Sequence, residues 1–137
     1  LYYKTIKLMA SSDSVALQDN TVTITFKSGK FDIPKNVAEY SVVIKDMFND
    51  LGEGECDIPI PDTYNMSVED MKFFFQLLEQ CNTKDNSLDD NVKIISSKKL
   101  GKQLLIKFIN LVHFLDNENM YRALCMLCAT LIRQGEF

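Results

Sequence analysis

One histidine, His113, and four cysteines, Cys56, Cys81, Cys125 and Cys128, are the residues of this sequence best suited to nucleophilic, proton-transfer or soft-metal chemistry. Nucleophilic catalysis needs a base within hydrogen-bond reach of a serine or cysteine, often presented on a recognisable sharp turn. His113 lies instead within the apolar run Leu111-Val112-His113-Phe114-Leu115, with no such turn beside it. Cys125 and Cys128 are three residues apart, which in a helix gives them neighbouring positions on one face. A tetrahedral metal would require two further ligands, and the sequence has no second closely spaced pair, so both thiols are expected to pack as small buried hydrophobes. Asp85, Asp89 and Asp90 raise the question of calcium, but their segment lacks the glycine and terminal glutamate of an EF-hand loop. The glycines are scattered, and Gly52-Glu53-Gly54 is flanked by acids that would repel phosphate. No catalytic, cofactor-binding or metal-binding residue is expected, and the chain is not read as an enzyme.

Bulk properties narrow the classes further. With 137 residues, 46% of them apolar, the chain is long enough for one real core and short for two. A net charge of −4 argues against a nucleic-acid partner, because neutralising phosphates takes a concentrated basic surface. The small basic cluster Lys98, Lys99 and Lys102 reads as a solvated face. Lys107 and Asp116 interrupt the best apolar run short of the roughly 18 residues a membrane span needs, so no membrane partner is expected. The first residues, LYYKTIKLMASSD, show no apolar core after a basic start, so a secretory signal is not expected either. The cysteine spacing is not that of a secreted disulfide framework, and a cytoplasmic or nuclear location is expected.

The elements that must position any site follow from periodicity. Residues 1–20 read as an N-terminal extension or arm and residues 21–134 as a single domain. Thr21 to Phe26 alternates as a half-buried strand with Val22, Ile24 and Phe26 inward; Lys27 to Lys30 turns the chain, and Phe31 to Ile33 returns it until Pro34. Asn36 to Glu39 suits a helical turn. Ser41 can cap a helix over Val42 to Leu51, which Gly52 to Glu55 stops. Cys56 to Pro61 is a proline-broken extended piece suited to a sheet edge. Ser67 opens a helix with Asp70 three residues on, and its Phe73-Phe74-Phe75 run reads as core. Asn82 to Ser97 reads as a polar surface loop in which Val92, Ile94 and Ile95 could dock as a short strand. Lys98 to Gln134 then forms two apolar helices joined by Asp116-Asn117-Glu118-Asn119, an antiparallel pair around which the rest is built. The first is apolar on almost every face and is expected to be buried, with only Lys107 and Asn110 turned outward. The fold class is α+β: a small mixed sheet packed against a helical cluster with a C-terminal helix pair.

This order of elements resembles the BTB/POZ superfamily. The resemblance sharpens at YSVVIKDMFNDLGEGECDIPIPD, residues 40–62, similar to a segment of the branch containing the S-phase kinase-associated SCF adaptor and elongin C, where a Ser-x-x-Ile-Lys-x-Met helix precedes an acidic glycine-containing turn and a strand. It sharpens again at INLVHFLDNENM, residues 109–120, similar to that branch's Ala-Ala-Asn-Tyr-Leu-Asp helix end.

The resemblance implies a non-catalytic adaptor in the ubiquitin conjugation pathway, linking a cullin scaffold to an F-box or similar substrate receptor. The branch's Asn-Tyr pair belongs to the cullin-facing surface, and His113 and Phe114 stand in its place here; Phe114 keeps a ring without the hydroxyl, and His113 exchanges an amide for an imidazole. The same two side chains could instead serve only to support the helix pair. Met120, Leu124, Cys128, Leu131 and Ile132 offer more apolar positions than one core-facing stripe needs, so some are expected to face a receptor. The alternative is a self-associating BTB/POZ scaffold outside the ubiquitin ligases, a homodimer that could exchange an arm through Tyr2, Tyr3, Ile6 and Leu8.

Overall fold

The computed structural model describes residues 21–51, 57–61, 64–83 and 85–137. The arm expected over residues 1–20, the helix stop at 52–55 and Cys56 lie outside them. Strand β1 (Thr21–Phe26) occupies the centre of a three-stranded sheet of order β2-β1-β3, antiparallel to β2 (Gly29–Pro34) and parallel to β3 (Asp57–Pro59). The alternation of β1 sets the register, with Val22 opposite Ile33 and Ile24 opposite both Phe31 and Ile58, so that one face of the sheet is apolar. The turn is tighter than the spacing predicts: Phe26 pairs directly with Gly29, leaving only Lys27 and Ser28 between the strands. Gly29 is required by proximity, since a Cβ there would stand 2.8 Å from Cγ2 of Val68.

Pro34 leads straight into α1 (Lys35–Ala38), whose Val37 and Ala38 are buried. Helix α2 (Val42–Leu51) begins at Ser41, whose hydroxyl accepts from the Ile44 amide at 3.1 Å as the expected cap. Helix α3 (Val68–Asn82) is capped by Ser67, which accepts from the Asp70 amide at 3.0 Å, and it buries Met71, Phe74, Phe75, Leu78 and Cys81 along one helical stripe. Its phenylalanines join sheet to helices. Phe31 meets Phe75 edge-on at 6.2 Å, Phe75 meets Phe74 at 5.2 Å, and Phe74 meets Phe108 at 5.4 Å.

The segment expected as a loop is instead helix α4 (Leu88–Ser97). A reciprocal capping box starts it: the Ser87 hydroxyl accepts from the Asp90 amide and the Asp90 carboxylate accepts from the Ser87 amide, each at 3.1 Å. Leu88, Asn91, Val92 and Ile95 then recur at helical spacing, with Ile95 fully buried, and the dense aspartates are the solvent face of a helix rather than the mark of a loop. Asn91 is buried and satisfied, donating to the Cys81 carbonyl at 3.2 Å and accepting from Asn86 at 3.0 Å, which fastens α4 to the end of α3.

The C-terminal pair is α5 (Lys102–Leu115) and α6 (Glu118–Arg133). Helix α6 packs on α3, α4 and α5, while α2 packs on α5, so the pair sits at the centre of one continuous core. Contrary to expectation, α5 is not buried all round. Leu105, Phe108, Leu111, Val112 and Leu115 face inward, whereas Ile106 is 42% and Phe114 37% exposed, because α2, α3 and α6 cover only one side of it.

Candidate partner-binding surface

Construction of the surface starts at the corner between α5 and α6, which is two residues long. Asp116 adopts the left-handed conformation (φ 63°, ψ 76°) and ends α5, and Asn117 caps α6 by accepting from the Met120 amide at 2.9 Å. The start of α2 is fastened to this corner. Ser41 donates to the Leu115 carbonyl at 2.6 Å, and the Val42 amide donates to the Asp116 carbonyl at 3.1 Å. Asn117 also donates to the Tyr40 carbonyl at 2.8 Å.

On the outer side of this corner stand His113 and Phe114, both exposed in the last turn of α5. Each ring is bracketed by a tyrosine. His113 lies against Tyr121 on α6 with ring centroids 5.4 Å apart, and Phe114 lies against Tyr64, before α3, at 5.6 Å. Lys107, about two turns back along α5, donates to the Asn65 carbonyl at 3.0 Å and so pins the Tyr64 segment beside Phe114. Burial pushes the Tyr64 phenol above its ordinary pKa, and the Tyr121 phenol is raised chiefly by its hydrogen bond with Cys125. The result is two ring pairs at one corner, in each of which a half-buried tyrosine supports an exposed ring. Exposed rings held in this way suit protein contact, because aromatic side chains offer large area at small entropic cost.

The expected receptor face on α6 divides in the structure. Met120 and Leu124 are fully buried, forming one stripe with Ala123 and Leu127 toward the core, and they offer nothing to a partner. Cys128 and Leu131 are half-buried, and Ile132 is 58% exposed. Met126, not singled out from the sequence, is 41% exposed but lies on the opposite flank of α6 from Cys128, two residues away. Cys125 and Cys128 are half-buried free thiols rather than core residues; Cys81 is the buried one, and burial pushes its thiol up to about 11. Tyr64, Tyr121 and Ile106, like Met126, were not singled out from the sequence. Ile106 could have been found by noting that it shares a helical face with Asn110 and His113, opposite Leu105, Phe108 and Val112. No sequence signal pairs Tyr64 with Phe114.

Charge divides the molecule as well. Lys98, Lys99, Lys102, Lys107, Arg122 and Arg133 face only Asp116 and Glu118 across residues 98–133, a net +4 in a chain of −4, so the remainder carries −8. Among the described residues no three His, Cys, Asp or Glu side chains converge in a way that could hold a metal ion, and no helix is long and apolar enough to cross a membrane. A hollow lined by Phe26, Lys27, Pro61, Tyr64, Met66 and Met71 has room for little more than a water molecule.

A central hairpin strand with a parallel third strand, packed on helices that end in a fastened corner, makes an α+β fold consistent with the BTB/POZ type. Residues 21–65 match the family model described as Skp1 family, tetramerisation domain, which sets this segment near the Skp1 branch of that superfamily. No curated protein matches the chain. The matched segment contains the sheet, α1, α2 and Tyr64, and a domain of this family points to a role in protein–protein interaction within a non-catalytic family of adaptors.

Proposed function

We propose that the chain is a non-catalytic adaptor that links a cullin scaffold to an F-box or similar substrate receptor in a ubiquitin ligase, acting through residues 21–134 in the cytoplasm or nucleus. The observation that carries this reading is the exposed pair His113 and Phe114 at the α5–α6 corner, each packed against a half-buried tyrosine, at the positions where the family resemblance puts a cullin-facing pair. The cullin docks on His113 and Phe114. The receptor docks on the outer face of α6, through Cys128, Leu131 and Ile132, and the basic character of residues 98–133 favours a segment that rims its apolar residues with carboxylates. Among the described residues Cys81, Cys125 and Cys128 are free thiols, which suits a reducing compartment.

A tagged chain drawn from cell extract, with its companions identified by mass spectrometry, tests the reading. Recovery of a cullin together with an F-box or similar receptor is expected. A His113→Ala/Phe114→Ala variant should lose the cullin while melting within about 1 kcal/mol of wild type, since both side chains are exposed. The description of the matching family as a tetramerisation domain favours one other reading, a self-associating scaffold. Light scattering that finds a tight homo-oligomer, with no cullin recovered, would replace the adaptor by that scaffold.

A further inference from the structure

We propose that a reciprocal amide pair, Asn82 with Asn117, is the device that positions Tyr121 against His113. Its functional consequence rests on the reading of the corner at His113 and Phe114 as a docking surface. Asn82, at the last turn of α3, donates to Asn117 Oδ1 at 3.1 Å and accepts from Asn117 Nδ2 at 3.1 Å. Every other hydrogen-bonding position of both amides is also taken. Asn82 Nδ2 donates a second time to the Leu78 carbonyl at 2.7 Å, and its Oδ1 accepts a second time from Asn119 at 2.9 Å. Asn117 Nδ2 donates to the Tyr40 carbonyl, and its Oδ1 accepts from the Met120 amide. An amide offers two N–H donors and two acceptor sites, so both side chains are saturated and neither can turn over without setting donor against donor.

The location explains what such a pair does. Asn117 stands four residues after His113 and four before Tyr121, at the point where the chain reverses, so the direction in which α6 leaves that point decides whether the two rings meet. The backbone there is in the left-handed conformation, which non-glycine residues adopt uncommonly and aspartate more readily than most, with Asp116 at φ 63°. The surroundings are α3 through Asn82, the segment before α2 through Tyr40, and α2 itself through Ser41 and Val42. A pair of apolar residues would fill the same space without fixing a direction.

The test compares Asn82→Asp and Asn82→Ala with wild type by NMR. Asn82→Asp keeps the shape but turns an acceptor toward the Leu78 carbonyl and Asn117 Oδ1. In both variants the His113 and Tyr121 ring resonances should move toward values for separated rings, and exchange of the Met120 amide should accelerate about tenfold or more, while methyl signals of Leu111 and Phe108's neighbours in the core stay in place. A merely structural pair would lower the melting temperature and leave the rings where they were, which would overturn the proposal. Asn119→Ala removes only the outermost, exposed bond and is decisive if the other two variants do not fold. It should shift the same ring signals by a smaller amount, and unchanged ring signals in that variant would then overturn the proposal. Binding of the cullin recovered above, measured on the same variants, separates this inference from the adaptor reading. Ring signals that move in a protein whose wild type binds no cullin would remove the adaptor and keep the positioning role; rings that stay still in a protein that binds would do the reverse.

Discussion

His113 and Phe114 owe their surroundings to tyrosines eight and fifty residues away in the chain, and so the residue scale already joins distant segments. Other single residues act locally and can be judged on local grounds. Asp90 is one. Its carboxylate accepts from the Ser87 amide, and hydrogen bonds from Ser87 hold its pKa below the ordinary 3.8. A depressed folded-state pKa means that the carboxylate contributes stability above the unfolded value, and that this contribution is lost as pH falls through the folded one. The stability difference between wild type and Asp90→Asn should therefore be constant near neutral pH and shrink as the solution is acidified below about pH 4. Melts of both proteins across that range check it, and a difference that grows on acidification would contradict the capping role of this carboxylate. Because Asp90 is fully exposed, the effect is expected to be small and sensitive to salt.

The element that most changes the picture is α4. A polar loop and a capped amphipathic helix have nearly the same composition over residues 82–97, and they differ in whether Ile95 is anchored. It is fully buried, among the contacts between α4 and α6. Ile95→Ala should accordingly cost about 2–5 kcal/mol. A surface loop would tolerate the change within about 0.5 kcal/mol, so a denaturant titration distinguishes the two. The helix also has a role toward the docking surfaces. It packs along one side of α6, a helix on which Met126 and Ile132 remain the exposed large apolar residues.

At the scale of the whole molecule, α2, α3 and α4 bury one side of the C-terminal pair, the sheet packs on α1 and α3, and the pair carries the basic part of the sequence. Leu111 and Leu124 lie fully buried in that pair, one on each helix. Alanine at either position should destabilise by about 2–5 kcal/mol in thermal melts. If both variants melt within about half a kcal/mol of wild type, the pair is not the centre of the core. Exposed Ile132 gives the contrast: its replacement by alanine should leave the melt almost unchanged, since its surface is already in water.

What the sequence determined by itself is what short-range chemistry specifies. The β1–β2 hairpin follows from an alternation that puts Val22 and Ile24 on one face, and the starts of α2 and α3 follow from Ser41 and Ser67, because a cap acts within three or four residues. The capping box at Ser87 was equally legible by these rules and was masked by the aspartates around it. The BTB/POZ likeness was legible too, in the order of elements and the Ser-x-x-Ile-Lys-x-Met segment that falls inside the matched residues 21–65. Tertiary structure alone decided the parallel pairing of β3 with β1, the burial of Met120 and Leu124 against the exposure of Ile106 and Phe114, and the meeting of Asn82 with Asn117. In α5 and α6 apolar residues occupy more positions than one core-facing stripe can use, so periodicity cannot say which of them face inward; that depends on where α2, α3 and α4 arrive, and their arrival is fixed by contacts far apart in the chain.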